Sequence, residues 1–198
     1  VKNEISRIPK NLKYEEHLRF LSEIASLRSR SDKFDKVYLL LGSALSDDGR
    51  YLAAVFTFSK ILENDPRNAQ IYLKIGGILQ KLGRFVDVIN YLEMAVTHEI
   101  KDPTIFASLG LAYKDIGDYE KSKEYLKESI CMMPHLKLNH YNLASINYEL
   151  GNIKECTVEL KNEIQINGRN IPAHVALKKM ERIGLSIQSG KQFEDILS

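Results

Sequence analysis

Glycine recurs at intervals of 34 residues along most of this chain. One series of four glycines is followed two residues later by an aromatic or aliphatic side chain. A second series, seven residues earlier in each unit, has glycine three times and then alanine. The two series are Gly49, Gly83, Gly117 and Gly151, and Gly42, Gly76, Gly110 and Ala144. Because both series stay in phase without an insertion, they indicate four tandem copies of one structural unit.

The residues around these glycines predict two helices per unit. The small residue in the second series lets a first helix pack closely against a second helix. The glycines of the first series can adopt a positive φ, which ends the first helix and starts the return. Pro66 and Pro134 lack a backbone donor and end the second helix in two of the units. The predicted units are 35–68, 69–102, 103–136 and 137–170, and each must stack on its neighbours to bury its apolar face.

This pattern resembles the tetratricopeptide repeat, in which a large aromatic residue is followed by a leucine–glycine pair, an alanine and a proline. The third unit fits best, with LGLAY at 109–113. The first large aromatic is replaced by Tyr38, Tyr72, Phe106 and His140, and the chain has no tryptophan. The resemblance covers 35–168. It implies an all-α fold, an α-solenoid wound as a right-handed superhelix of about four repeats in one continuous domain.

Segments on either side of the repeats are predicted to cap them. Residues 1–34 would form an arm at 1–13 and an amphipathic helix at 14–30 that covers the first repeat, or else a degenerate half-repeat or a docking helix. Residues 171–198 would form a capping helix at 171–183 and then a tail with a loop and a short terminal helix. Val175, Leu177, Met180 and Ile183 are predicted to cover the fourth unit.

The fourth unit departs most from the pattern. Asn147 stands where a tyrosine-like residue is expected, and Glu163 stands in a column held elsewhere by Ile61, Ala95 and Ser129. Polar residues in core columns predict that these columns are exposed in the fourth unit, and that the array ends close by.

Composition argues against several classes of function. Lysine and arginine number 28 against 26 acidic residues, and the charges are interspersed, so neither nucleic acid nor an acidic membrane surface is a predicted partner. No apolar run approaches the roughly 20 residues of a membrane-spanning helix, so membrane insertion is not expected. The chain begins with valine, which suggests a fragment or a processed form. Two cysteines, Cys131 and Cys156, are predicted to be small packing residues and slightly favour a reducing, cytoplasmic compartment.

Sequence motifs of catalysis are missing. There is no phosphate loop, GxSxG or HExxH motif. Cys131, His135 and His140 form a loose cluster, but Pro134 interrupts any helix through them, so no metal site is predicted. His140 and His174 fall in the first aromatic column of the repeat and are expected to pack. We therefore predict no catalytic residue, no cofactor and no metal.

The resemblance implies a binding surface, because in this family the first helices of successive repeats line a concave groove. Aligning the columns assigns to this groove a mixture of apolar, aromatic and neutral polar side chains. Tyr141 and Tyr148, with Leu138 and Leu111, are the predicted hot spots. The alternative is that these tyrosines fill a gap between repeats or cover the C-terminal helix. The predicted groove residues are Lys36, Leu39, Ser43, Ser46, Gln70, Leu73, Gly77, Gln80, Thr104, Ala107, Leu111, Lys114, Leu138, Tyr141, Asn142, Ser145 and Tyr148.

Three functions are compatible with this pattern. The leading hypothesis is a non-catalytic adaptor that binds a peptide or partner protein in the groove. The others are a self-associating assembly scaffold and a regulatory or targeting segment of a larger multidomain protein. One subgroup of the family clamps a C-terminal carboxylate with a lysine followed one turn later by asparagine, and no first helix of the four units has that pair. We therefore predict no carboxylate clamp.

Overall fold

The computed structural model describes residues 33–188 and, within them, the side chains of residues 35–183. The predicted arm at 1–13, the helix at 14–30 and the tail beyond residue 188 lie outside this range. Every regular element in the described part is an α-helix, so the predicted all-α fold is confirmed there. The helices are α1 (Lys33–Asp47), α2 (Tyr51–Asn64), α3 (Ala69–Lys81), α4 (Phe85–Thr97), α5 (Pro103–Asp115), α6 (Tyr119–Met132), α7 (Asn139–Glu149), α8 (Ile153–Ile166) and α9 (Ile171–Gln188).

The described part of the chain forms two compact units, which divide between Ile100 and Lys101. The described part of unit 1 contains α1 to α4, which are the first two helix pairs. Unit 2 contains α5 to α9, which are the last two pairs and one further helix. Within each unit every helix packs against the next one along the chain, and in unit 2 the first helices α5 and α7 also touch. This stacking of hairpins is the arrangement that the 34-residue period predicts.

All four glycines of the first series lie at the bends between paired helices. Their φ angles are +74°, +69°, +84° and +74°. At Gly83 the amide donates to the carbonyl of Gln80, and the next amide, of Arg84, donates to Leu79, which ends α3. A side chain in this left-handed region costs roughly 1–2 kcal/mol, so the bend favours glycine.

The second series marks close contact between paired helices, with different clearance in different repeats. A Cβ atom on Gly42 would lie 2.6 Å from Cε1 of Phe58, and one on Gly110 would lie 2.7 Å from Cγ of Leu126. At Gly76 the nearest atom, on Leu92, would be 3.5 Å away, which is an ordinary contact. The first and third repeats therefore require glycine, whereas the second has room for the alanine that the fourth carries.

The interior of unit 1 is almost wholly apolar. Thr57 is the one buried polar residue among the described side chains of this unit, and its hydroxyl donates to the carbonyl of Ala53 at 2.7 Å. The largest fully buried side chains of unit 1 are Phe58, Ile61, Tyr72, Ile75, Leu79 and Leu92.

Unit 2 buries a series of polar side chains. Ser129 Oγ donates to the carbonyl of Pro103 at 2.6 Å, and Asn139 Nδ2 donates to Ser129 Oγ at 2.7 Å. These bonds link the second helix α6 to the starts of α5 and α7. The buried polar residues of unit 2 are Ser122, Ser129, Asn139, Asn147, Glu163 and Asn170.

Glu163 corrects the prediction that its column is exposed. Its side chain is completely buried, and its carboxylate accepts hydrogen bonds from the backbone N–H of Leu138 and from Asn170 Nδ2, both at 3.0 Å. Asn147 is buried as well, against the same prediction. For Glu163 the expectation failed because a polar group can be buried when hydrogen bonds replace its contacts with water. Asn147 is buried although its Oδ1 has no hydrogen-bond partner among the described residues.

Helices α7 and α9 depart from the predicted segments. Helix α7 begins at Asn139, two residues after the start of its predicted unit, because Leu138 adopts a left-handed conformation with a φ of 73°. Helix α9 continues through Gly184 to Gln188 rather than ending at 183. The first residues of the predicted tail are therefore helical.

Helix α9 takes the place of the first helix of a fifth repeat. Met180 and Ile183 are buried and Leu177 is half-buried, as expected of a cap on the fourth repeat. Lys178 and Glu181, in columns that would face a second helix, are exposed. Val175, by contrast, is 63% exposed, so its predicted packing role is wrong. Its column is the one that Tyr141 occupies in α7, and it points away from α8.

Candidate functional site

The first helices of unit 1 enclose one small cavity. Its volume is about 250 Å³, and it lies between α1 and α3. Ser43, Ser46, Leu73 and Gly77, four of the predicted groove residues, line it. A Cβ atom on Gly77 would meet nothing within 4 Å, so the missing side chain leaves this wall open. The remaining lining residues are Asp47, Phe58, Lys74, Ile78 and Lys81.

The first helices of unit 2 enclose a second cavity, of about 200 Å³. Tyr141, Ser145 and Tyr148, all predicted from the sequence, line its α7 side. Residues of α8 line the floor of the cavity, and residues of α9 line the side opposite α7. The other lining residues are Ala144, Cys156, Leu160, Ala176, Lys179 and Met180. We call this space the α7–α9 cavity.

The two tyrosines of the α7–α9 cavity have a double role. Both are half-buried and pack against a core cluster built from α7, α8 and α9, which includes Leu160 and Met180. The same side chains also line the cavity. Tyr141 and Tyr148 therefore cover the C-terminal helix, as the alternative reading held, and leave aromatic surface facing the space between α7 and α9.

Lys179 adds a positive charge to the rim of this cavity. Its Nζ lies 5.6 Å from the centroid of the Tyr148 ring, within the range of a cation–π interaction. The cavity thus combines an apolar floor with a cation at one edge.

Cys156 lies on the floor of the cavity, and its thiol has low nucleophilic reactivity. It is buried, and burial raises the pKa of its thiol to about 11 from an ordinary value of 9.0. A thiol with so high a pKa is almost entirely protonated at neutral pH and is a poor nucleophile. The floor therefore provides apolar contact rather than covalent chemistry.

Helix α9 supplies groove positions that the sequence analysis missed. Val175, Lys179 and Arg182 lie 34 residues after Tyr141, Ser145 and Tyr148. One more step of the 34-residue period would have identified them. They were passed over because residues 171–183 were interpreted only as a cap.

The other predicted groove residues line neither cavity. Leu138 precedes α7 and is 50% exposed, while Ala107 is buried in α5. Lys36, Gln70, Gln80 and Thr104 are exposed, and Leu39, Leu111, Lys114 and Asn142 are half-buried.

Residues considered for metal binding or packing are separated in the structure. Within residues 33–188, no group of three His, Cys, Asp or Glu side chains is placed to hold a metal ion. His140 Nδ1 lies 2.6 Å from Glu159 Oε2 in a partly buried pair. His174 and Cys131 are exposed, so the prediction that they pack is wrong. Cys131 faces water because its position, near the end of α6, falls on the outer side of that helix.

None of the described helices combines the length and the apolar character needed to cross a membrane.

Comparison with known proteins places this fold in context. The family model described as tetratricopeptide repeat matches residues 35–68 and 103–130. A search of curated proteins found no match.

Solved structures with the same fold include MamA, which is 22% identical, with a TM-score of 0.70 over 82% of this chain and 90% of that one. YrrB, described as a TPR protein with an unusual peptide-binding site, is 20% identical, with a TM-score of 0.65 over 83% of this chain and 84% of that one. The first TPR of Spaghetti (RPAP3), bound to the HSP90 peptide SRMEEVD, is 12% identical, with a TM-score of 0.55 over 58% of this chain and 93% of that one. At these identities the similarity shows the fold.

Proposed function

Because this chain is a tetratricopeptide-repeat protein, we propose that it is a non-catalytic binding module that holds a peptide segment of a partner protein against the first helices of its repeats. The observation that carries this proposal is the α7–α9 cavity, where aromatic side chains from α7 face an open apolar space. Ligand sites of proteins are typically concave and apolar, with a few polar groups that fix orientation.

The size of the cavity suits a single large side chain. An apolar cavity of about 150 Å³ is enough to hold benzene. The α7–α9 cavity, at about 200 Å³, can therefore accept one aromatic or leucine-like side chain. Burying such a side chain contributes roughly 1.5–3 kcal/mol, and a micromolar complex needs about 8 kcal/mol. The partner must consequently make further contacts on both sides of this anchor.

Two structural neighbours support a peptide ligand. YrrB is described as having an unusual peptide-binding site, and the RPAP3 repeat domain is bound to a peptide. In both cases the tetratricopeptide fold is associated with a peptide ligand.

Binding assays with paired variants test this proposal. Partners captured by the wild-type protein would be compared with those captured by Tyr141→Ala/Tyr148→Ala. Because aromatic anchors commonly cost about 2 kcal/mol or more when truncated, we expect at least a roughly tenfold loss of affinity. The matched control is Met94→Ala/Val158→Ala, at exposed apolar side chains of α4 and α8, which should bind normally.

Since both tyrosines also pack in the core, a gentler variant is needed. Ser145→Arg leaves the tyrosines in place and fills the cavity mouth with a long side chain. It should reduce binding while the circular dichroism spectrum and melting temperature stay near those of the wild type. Unchanged binding by both site variants would refute the proposed site.

Self-association is a second candidate, favoured by one observation on unit 1. Leu52 and Val86 are 58% and 61% exposed, in the column where unit 2 has Glu120 and Lys154. This column is therefore apolar in unit 1 and charged in unit 2, which suggests that a second copy of the chain covers it in unit 1. Light scattering across a range of concentrations would detect such oligomers, and Leu52→Glu/Val86→Glu should dissociate them.

A further inference from the structure

Basic residues outnumber acidic residues in the binding-face columns of unit 2. The columns assigned to the binding face hold Lys114 in α5, and Lys179 and Arg182 in α9. The same columns contain no carboxylate in α5, α7 or α9. The nearest acidic residues in these helices lie in adjacent columns and are exposed, either at helix ends or on the outer side of α9. They are Asp115, Glu149 and Glu181.

Lys179 differs from two cations on the helix surfaces of unit 1. Lys60 and Arg84 form ion pairs with Glu63 and Asp87, which lie one turn further along the same helix surface. Lys179 makes no ion pair with any residue in the described part of the chain, and its ammonium group rests over the Tyr148 ring. Its charge is therefore available to a ligand at the rim of the α7–α9 cavity.

The apolar floor and the rim charge lie close together. The distance between Lys179 Nζ and the centre of the Tyr148 ring is 5.6 Å. An extended peptide advances by roughly 3.3 Å per residue, so two residues span about 7 Å. Because alternate side chains of an extended peptide point to the same face, a ligand whose anchor side chain enters the cavity would present the side chain two residues away to Lys179.

We infer that the α7–α9 cavity selects a partner segment in which an aromatic or leucine-like side chain is accompanied, within two residues, by an acidic side chain. This inference rests on the proposed function, and it specifies the chemistry of the partner. The apolar side chain enters the cavity between Tyr141 and Tyr148, and the carboxylate pairs with Lys179. Because the acid is an internal side chain, the free C-terminus of the ligand is not required.

The magnitude expected from the ion pair is modest. Exposed ion pairs contribute roughly 0.2–1 kcal/mol, which corresponds to an affinity change of at most about fivefold. Reversing the charge adds repulsion, so Lys179→Glu should weaken an acidic ligand by about tenfold or more. The effect should decrease as salt is added, because surface charges are screened.

A charge-swap experiment on the full chain tests this inference. A displayed library of random peptides, amidated at the C-terminus when resynthesised, would provide binders for fluorescence polarisation. We expect selected sequences to carry an acid within two residues of Leu, Phe or Tyr. Replacing that acid with its amide should weaken binding to the wild type but not to Lys179→Gln. Replacing it with lysine should restore binding to Lys179→Glu.

The matched control is Lys178→Glu, one residue away on α9 and exposed outside the binding columns. It carries the same charge change and should leave affinity within about twofold, as expected for a charge that makes no direct contact.

The possible failures are distinguishable. Binders that depend on Tyr141 and Tyr148 but are indifferent to their acid and to Lys179 would overturn this inference and leave the proposed function intact. A library that yields no binder sensitive to Ser145→Arg would overturn the proposed function itself. Light scattering that shows a dimer dissociated by Lys179→Glu would also overturn the inference, since a second copy of the chain would then occupy the cavity.

Discussion

Units 1 and 2 share the same repeat pattern but differ in the chemistry of their interiors. One column is filled by Ile61 and Ala95 in unit 1, and by Ser129 and Glu163 in unit 2, and all four side chains are buried. Unit 1 is held together by apolar packing, whereas unit 2 adds a series of buried hydrogen bonds. The comparison teaches that the glycine columns specify the hairpin, while the space between helices accepts apolar side chains or polar side chains that are joined by hydrogen bonds, as Ser129 and Glu163 are.

The polar interior of unit 2 also positions the candidate site. Glu163 in α8 accepts a hydrogen bond from the N–H of Leu138, immediately before α7, and another from Asn170, immediately before α9. Asn170 in turn accepts a hydrogen bond from the N–H of Ala173 in the first turn of α9. One buried carboxylate therefore fixes the starts of both helices that flank the α7–α9 cavity.

The largest difference between the units should appear when Glu163 is removed. Glu163→Ala would leave the partly buried Leu138 N–H and the buried Asn170 amide without an acceptor. Because each such loss costs about 1–3 kcal/mol, we expect the free energy of unfolding to fall by about 3 kcal/mol. Urea titration followed by circular dichroism measures this change. Glu63→Ala, which breaks the exposed pair with Lys60 in unit 1, is the control and should cost less than about 1 kcal/mol. A loss below that level for Glu163→Ala would mean that the network contributes little.

The next largest effect is expected from adding a methyl group at glycines of the second series, where the clearance between paired helices differs. In Gly110→Ala the new methyl group would collide with Leu126 and approach the Ser122 carbonyl oxygen at 3.1 Å, so we expect a loss of about 1–3 kcal/mol. Gly76→Ala has room in unit 1 and should be neutral or slightly stabilising, because alanine favours helix by up to about 1 kcal/mol. Thermal unfolding of the two variants provides the comparison. Equal melting temperatures would show that the clearances do not differ.

A smaller effect is expected from replacing a buried polar residue of unit 2 with the leucine that unit 1 has in the same column. Asn147 occupies the column of Leu45 and Leu79, and its Oδ1 is buried with no hydrogen-bond partner among the described residues. Asn147→Leu should therefore raise the free energy of unfolding by about 1 kcal/mol. Asn142→Leu, on the same helix but only half-buried, serves as the control and should change it by less than about 0.5 kcal/mol. Destabilisation by Asn147→Leu would indicate that the amide group has a structural role.

The smallest effect concerns the two thiols of unit 2. Cys131 is exposed and should react with a thiol reagent in the native protein, whereas Cys156 should react only after unfolding. Burial raises the pKa of the Cys156 thiol to about 11, above its ordinary value of 9.0. The unfolded chain therefore ionises first, and the stability contributed by this thiol is present below pH 9.0 and is lost as the pH rises towards about 11.

Thiol titration of the native protein and of Cys131→Ser gives the measurement. Reaction of the native Cys131→Ser variant at the rate of a free thiol would contradict the burial of Cys156.

Features set by backbone geometry could be predicted from the sequence. The turn glycines were assigned correctly because a positive φ strongly favours glycine, and Gly42 and Gly110 because only glycine fits their clearance. Most helix boundaries followed from these positions.

Features set by contacts between distant residues could not be predicted in the same way. The burial of Glu163 depends on donors at Leu138 and Asn170, which belong to two different turns, and no single column of the repeat contains that information. The left-handed conformation of Leu138 has no signal in the sequence, since leucine is a poor residue for it.

The candidate site also combines features that the sequence could predict with features that it could not. The columns identified Tyr141, Ser145 and Tyr148, which the structure brings to one cavity. They did not identify Lys179, because the period was followed only to residue 170. The columns also could not show that Val175 is exposed. Its exposure follows from the absence of a helix outside α9 in the described part of unit 2.

The most direct test of the account is a nuclear magnetic resonance titration of the isotope-labelled protein with a selected acidic peptide. The account predicts that the largest chemical-shift changes fall on the first-helix faces of unit 2, at Ser145, Tyr148 and Lys179, and that Lys179→Glu weakens the titration. Shift changes concentrated on the exposed faces of α6 and α8, for example at Glu124 and Val158, with Ser145 and Lys179 unaffected, would contradict it.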